Sequence, residues 1–179
     1  VSSARYEGIK AAKGEYIVFC DVDDLVSENY LSELYSLCQE NGLVIGGLIK
    51  KLPYNITKTF VPEKKENVDM EQFSVLFPKL FIDMNLINSP CAKLYSAKLV
   101  QDMEFNVRLK MWEDLLFNLN YLKKCKTVAV SDQIIYHYNC LDASSSRKPH
   151  DNIIEMALTV YHAVDDFCDS IMENNSSTA

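Results

Sequence analysis

Three carboxylates, Asp21, Asp23 and Asp24, follow directly on the apolar run Tyr16-Ile17-Val18-Phe19-Cys20. The run is short, β-branched and aromatic, with Gly14 just before it, so it reads as a strand buried on both faces, Cys20 included. The acids then stand at the carboxyl end of a strand, where open α/β sheets bind their ligands. Carboxylates crowded together repel one another unless a proton or a cation relieves them. A divalent ion such as Mg²⁺ or Mn²⁺ is one solution, because it takes one or two protein carboxylates and completes its shell from water and phosphate oxygens. A solvated acidic loop is the other.

A second acidic pair, Glu113-Asp114, opens a helical stretch that runs to Lys124. Free N–H groups and the helix dipole favour carboxylates at a helix start, so on position alone the pair reads as capping charges. Trp112, the only tryptophan, offers an apolar platform or a piece of core. His137 lies in an apolar strand, as a metal ligand or as a packed, hydrogen-bonded side chain. Lys93 is a lone lysine, a residue type that is most often a solvated surface charge.

Several elements must position these groups. A helix over 3–13 ends at Gly14. Ser27 caps a helix to about residue 40, with Tyr30, Leu31, Leu34, Tyr35, Leu37 and Cys38 as its apolar face. Residues 43–52 form a strand in which Gly46-Gly47 marks a bulge or a close backbone approach, or which is a plain edge strand. Residues 53–68 form a loop with one strand at 56–61. Asp69 opens a capping box, and the helix it starts packs through Phe73, Leu76, Phe77, Leu80 and Phe81. Two short strands are expected at 127–130 and 133–138. Asp151 or Asn152 caps a last helix with Ile153, Ile154, Ala157, Val160, Tyr161, Val164, Phe167, Cys168 and Ile171 on its apolar side.

The 179 residues, 48% hydrophobic and 24% charged, suffice for one domain with a proper core. A net charge of −7 argues against non-specific nucleic-acid binding and against a broad basic membrane patch. No run reaches the length of a membrane span and no signal peptide opens the chain, so a cytoplasmic location is expected, with any peripheral contact to the inner membrane face left to parts outside this sequence. The six cysteines show no Cys-x-x-Cys pair and no zinc-like spacing, which fits reduced, structural thiols.

The segment Ala4-Arg5-Tyr6-Glu7-Gly8-Ile9, then Ala12-Lys13-Gly14-Glu15-Tyr16-Ile17, then the apolar strand and Asp21-Val22-Asp23-Asp24, resembles the central motif of family-two glycosyltransferases. That pattern is approximately Ala-Arg-Asn-x-Gly-Ile, Ala-x-Gly-Glu-Tyr-Ile, an apolar strand and Asp-x-Asp-Asp. Tyr6 stands where the family usually has Asn. Asn88-Ser89-Pro90-Cys91-Ala92-Lys93-Leu94-Tyr95 resembles the family's Asn-Lys-Leu-Phe/Tyr segment. Trp112-Glu113-Asp114 resembles the Glu-Asp motif that opens a helix and carries the general base. Tyr136-His137-Tyr138-Asn139, followed by Ser144-Ser145-Ser146-Arg147, resembles a Tyr-Arg-x-x-x-x-Ser segment with Asn139 in the place of Arg.

The resemblance implies an α/β chain with a mixed, mostly parallel sheet and flanking helices, part of a GT-A fold. It implies one domain over 1–179, the C-terminal part of a transferase domain: 1–50 on the nucleotide-sugar and metal side, 51–150 on the acceptor side, and a terminal helix over 151–173. Two or three strand–helix units of roughly 30 residues each would precede it and hold the nucleotide base. The implied reaction moves a sugar, with inversion, from a nucleotide-diphosphate donor to a hydroxyl of a saccharide or lipid-linked acceptor, in surface polysaccharide synthesis. The implied cofactor is Mn²⁺ or Mg²⁺. Arg5, Asp21 and Asp24 would face the donor, Asp23 and His137 the metal, Asp114 with Glu113 the proton, and Lys93, Trp112 and Arg147 the acceptor or phosphate. An exposed sheet edge invites pairing with a second copy.

Two rivals stand beside this reading. Phe19-Cys20-Asp21-Val22-Asp23 also resembles the strand and Asp-x-Asp of haloacid dehalogenase type phosphatases, but Leu25 stands where that family needs Thr or Val. The other rival is a non-catalytic fragment that binds an acceptor or a partner.

Overall fold

The computed structural model describes residues 2–40, 42–103, 109, 111–139 and 152–176. Helix α1 (Ser2–Ala11) leads to the short strand β1 (Tyr16–Ile17), and the acidic turn separates this from β2 (Leu25–Val26). Next come α2 (Tyr30–Ser36), β3 (Gly42–Lys51), β4 (Thr57–Phe60) and β5 (Glu66–Asp69). Helix α3 (Met70–Pro78) continues into a π-helical turn (Lys79–Asp83), followed by β6 (Lys93–Ser96) and α4 (Ala97–Val100). Helix α5 (Glu113–Leu122), β7 (Thr127–Asn139) and α6 (Ile153–Ser176) complete the described chain.

The described strands form one sheet in the order β1-β6-β3-β7-β2, with β4 added on β3 and β5 on β7. The mixed α/β class with flanking helices is the expected one. The preponderance of parallel pairing is not found among the described residues: β3 and β7 run parallel, and the other ladders are antiparallel. The link 52–56 is too short for a crossover and turns β3 back into β4, and β6 runs against both β1 and β3.

Strand β3 is central, with Leu43, Val44, Ile45 and Leu48 buried. Its register against β7 slips around Gly47, so the glycine pair does mark a bulge. A Cβ on Gly47 would lie 2.7 Å from Val61 Cγ2 and 2.8 Å from the Gln133 carbonyl oxygen, so the bulge is also a close approach. The two short strands expected at 127–138 are one continuous strand. Ser131 is buried at the apparent break, yet its hydroxyl donates to Glu33 (2.6 Å) and accepts from the Gln133 N–H (3.1 Å), so the chain need not turn out to water.

The Asp69 carboxylate caps α3 through the Gln72 N–H (2.8 Å), and Phe73 and Phe77 are buried as the periodicity requires. Helix α2 is shorter than expected. The Ser27 hydroxyl donates to the Ile134 carbonyl in place of capping, and Leu31 and Tyr35 are exposed while Tyr30 and Leu34 are buried. Helix α6 packs on α3 and α5, with Phe167 and Ile171 in the core and the Phe77 and Phe167 rings 4.8 Å apart. Val160, Val164, Phe167, Cys168 and Ile171 pack on the core as the periodicity requires, whereas Ile153, Ile154 and Tyr161 remain exposed. Among the described residues no helix is long and apolar enough to cross a membrane.

Candidate active site

The acids form a turn closed by the Asp24 N–H on the Asp21 carbonyl oxygen (3.1 Å), with Val22 fully exposed at its tip. Phe19 is buried in front of this turn, whereas Cys20, expected inside, is exposed. Strand β7 fastens the turn from the other side. The Tyr136 hydroxyl accepts from the Asp21 N–H (3.1 Å) and donates to Asp24 (2.7 Å), and the Asn139 N–H donates to the other Asp24 oxygen (2.8 Å). The Asn139 amide also donates to the Asp23 carbonyl oxygen. Asn139, read from sequence as a lost arginine, is therefore a bolt that holds the acidic turn to β7. Burial raises the Asp24 carboxyl above its ordinary range, against the hydrogen bonds that lower it.

Helix α1 carries Arg5 between the acidic turn and α5. Its guanidinium donates to Asp21 (2.8 Å) and to Asp114, which joins parts of the chain 109 positions apart. The Arg5 side chain is 9% exposed, and the two carboxylates outweigh the burial that opposes its charge. Burial pushes Asp114 up to about 6, partly offset by Arg5 and reinforced by Glu113. Asp114 is thus an acid held near the operating range of a general base. Glu113 accepts from the Ser2 hydroxyl at 3.4 Å.

Helix α5 starts abruptly because Trp112 takes a left-handed backbone, φ 62°, and makes no side-chain cap. A bulky side chain in that region is strained, and such strain persists only where surrounding packing fixes it. The Trp112 ring is half-buried against the core, so it is only partly available as a platform. Phe19, Tyr95 and Phe117 meet edge to face at 5.5 to 5.9 Å, tying the segment after β1 to β6 and α5.

Two expected roles change, and a third falls on residues outside those described. Lys93 is 1% exposed, and its ammonium donates to the carbonyl oxygens of Leu86, Ser89 and Cys91 inside the protein. It is not available to a phosphate or acceptor, because β6 is buried along its whole length. Burial lowers it to about 7. His137 pairs with Leu25 and follows Tyr136 on β7. Successive strand side chains face opposite ways, so His137 is turned from the side on which Tyr136 reaches Asp24. Arg147 lies outside the described residues.

Among the described residues, the groups close enough to share an ion are Asp21, Asp24 and Cys91, within 4.8 Å of one another; Asp23 and His137 belong to no such cluster. Cys91 was missed because an isolated cysteine has no spacing signal. It arrives here through a parallel bridge to Phe19. Burial first, then Asp21, push its thiol up to about 11, so it stays protonated and suits a hard ion poorly. Asp24 already accepts on both oxygens. Asp21 has one oxygen on Arg5, and Asp23 is exposed with no partner for its carboxylate among the described residues. Of the expected metal ligands, Asp23 is thus the carboxylate open to a ligand, while Asp21, expected at the donor, lies within the cluster.

The acidic turn and the acid braced across from it thus lie in one place on a mixed α/β fold. A sequence model described as glycosyl transferase family 2 matches residues 1–101. The poly(ribitol-phosphate) beta-glucosyltransferase of Bacillus spizizenii is 30% identical over 138 residues, 75% of this chain and 20% of that protein. The poly(ribitol-phosphate) beta-N-acetylglucosaminyltransferase TarP of Staphylococcus aureus is 29% identical over 157 residues, 81% of this chain and 43% of that one. The crystal structure of S. aureus TarS 1–349 in complex with UDP-GlcNAc superposes with a TM-score of 0.68 at 18% identity, over 92% of this chain and 46% of that one. The chain belongs to glycosyltransferase family 2. It spans less than half the length of these relatives. This membership leaves the phosphatase reading without support.

Proposed function

We propose that this chain is the metal- and acceptor-side part of an inverting glycosyltransferase, which moves a sugar from a nucleotide-diphosphate donor to an acceptor hydroxyl in surface polysaccharide synthesis. The observation that carries it is the Arg5 bridge, which brings the acidic turn and Asp114 into one site. Asp21 and Arg5 serve the donor, Asp23 with Asp21 holds the cation, and Asp24 keeps the turn in shape. A bound divalent cation supplies neutralisation of charge on the leaving diphosphate. Asp114 accepts the proton of the acceptor hydroxyl, and Glu113 and Trp112 flank it. A carboxylate is a weak base for an alcohol, so proton transfer is late and positioning supplies much of the rate.

Residues 1–50 form the donor side of the site, 51–150 the acceptor side, and 151–173 a supporting helix, in one domain. Two relatives named for transfer to poly(ribitol-phosphate) make a polyol-phosphate polymer the first acceptor to try. The exposed Leu25 and Val26 of the edge strand β2 offer a surface for a second copy. The test uses the full-length protein with UDP-glucose or UDP-N-acetylglucosamine, Mn²⁺ and that polymer. Asp114→Asn is expected to remove transfer while leaving donor affinity unchanged; retained transfer contradicts the role of Asp114.

A further inference from the structure

Behind Asp114 lies a group of buried polar side chains that the proposed chemistry does not use. Asn118 follows Asp114 by four residues, one helical turn deeper, and is 0% exposed. Its amide donates to the carbonyl oxygens of Ile87 and Ser89 (3.0 Å for the latter), and its own oxygen accepts from the Tyr95 hydroxyl (2.6 Å). Lys93 takes the carbonyls of Leu86, Ser89 and Cys91 in the same turn. The turn ends in Ala92, which is held at φ 57°, a left-handed value that needs such bracing. Cys91 then bridges to Phe19, two residues before Asp21.

A continuous path of hydrogen bonds thus runs from the helix that carries the proposed base, through the 86–91 turn, to the strand that ends in the acids. An apolar core would hold these elements together with less specificity, since buried polar groups tolerate few alternative arrangements. We propose that Asn118 is a positioning residue: seated between the 86–91 turn and Tyr95, it fixes how far Asp114 stands from the acidic turn. This deepens the reading of Asp114 as the base and rests on it.

The consequence is selective. Loss of the anchor lets α5 shift, and a displacement of about 1 Å at a reacting group lowers turnover by roughly 10²-fold. The acidic turn, held separately by Tyr136 and Asn139, keeps its affinity for a nucleotide diphosphate.

The experiment compares Asn118→Leu and Tyr95→Phe with the parent full-length protein, reading kcat, donor KM and Mn²⁺-dependent UDP binding. Tyr95→Phe keeps the ring and removes only the hydroxyl, so it remains informative if Asn118→Leu does not fold. The expected result is a kcat loss of about 10²-fold for Asn118→Leu and 3- to 10-fold for Tyr95→Phe, with UDP affinity within twofold of the parent. Parental kcat in Tyr95→Phe, or equal losses of kcat and UDP affinity, overturns the positioning role. A parent protein that neither transfers sugar nor binds UDP overturns the functional reading itself, and this inference with it.

Discussion

The two sides of the site are built on opposite principles. Around Asp114 the protein uses its own polar groups: Arg5 holds the carboxylate, and Asn118, Tyr95 and Lys93 brace the helix from behind. At the acidic turn Asp24 is likewise committed to Tyr136 and Asn139, yet the neighbouring Asp23 has no partner for its carboxylate among the described residues. Adjacent, identical side chains therefore stand in different surroundings, one fastened into the turn and the other open to solvent. Under the proposed function, that difference separates the carboxylate that shapes the turn from the one that meets a ligand.

The sharpest way to break this comparison is at the partnered base. Asp114→Asn should lower kcat by about 10³-fold, within the usual range for removing a general base, with UDP affinity unchanged in a calorimetric titration. A smaller effect is expected from its partner. The base works ionised, so kcat should fall as pH drops through about 6, the value to which burial lifts Asp114. Arg5 favours the ionised form, so Arg5→Gln should move that falling limb of the pH–rate profile to higher pH by about one unit.

The carboxylates of the turn separate next, by stability. Asp24→Ala removes the acceptor of the Tyr136 O–H and of the Asn139 N–H and should cost about 1–3 kcal/mol in a denaturant titration, whereas Asp23→Ala should cost almost nothing. The smallest effect is a control away from the site. Asp69→Ala removes the α3 cap and should cost about 1 kcal/mol without changing UDP affinity.

What the sequence disclosed, and what it hid, follows from how each signal arises. The Asp69 cap, the Phe73 and Phe77 face of α3 and the Gly46-Gly47 bulge are local, and local chemistry reports them. The acidic turn and the Glu113-Asp114 helix start were legible for the same reason. Pairing direction was not, because β6 meets β1 and β3 across long stretches of chain and nothing in four residues records the sense. The fate of Lys93 was hidden too, since its three carbonyl partners belong to a turn whose shape only the fold defines. Tyr136 and Asn139 looked like a strand end and a lost arginine. Their task became visible only when β7 lay beside the acidic turn. His137 misled because strand alternation turns it from the side that its neighbour Tyr136 occupies.

Under the proposed function the turn is a donor site, and its carboxylate without a partner among the described residues is Asp23. The most direct test titrates UDP into the full-length protein with and without Mn²⁺, alongside Asp23→Ala. The account predicts binding that needs the metal and disappears in Asp23→Ala while the fold, read by thermal melting, is unchanged. Metal-dependent binding that survives Asp23→Ala would contradict it.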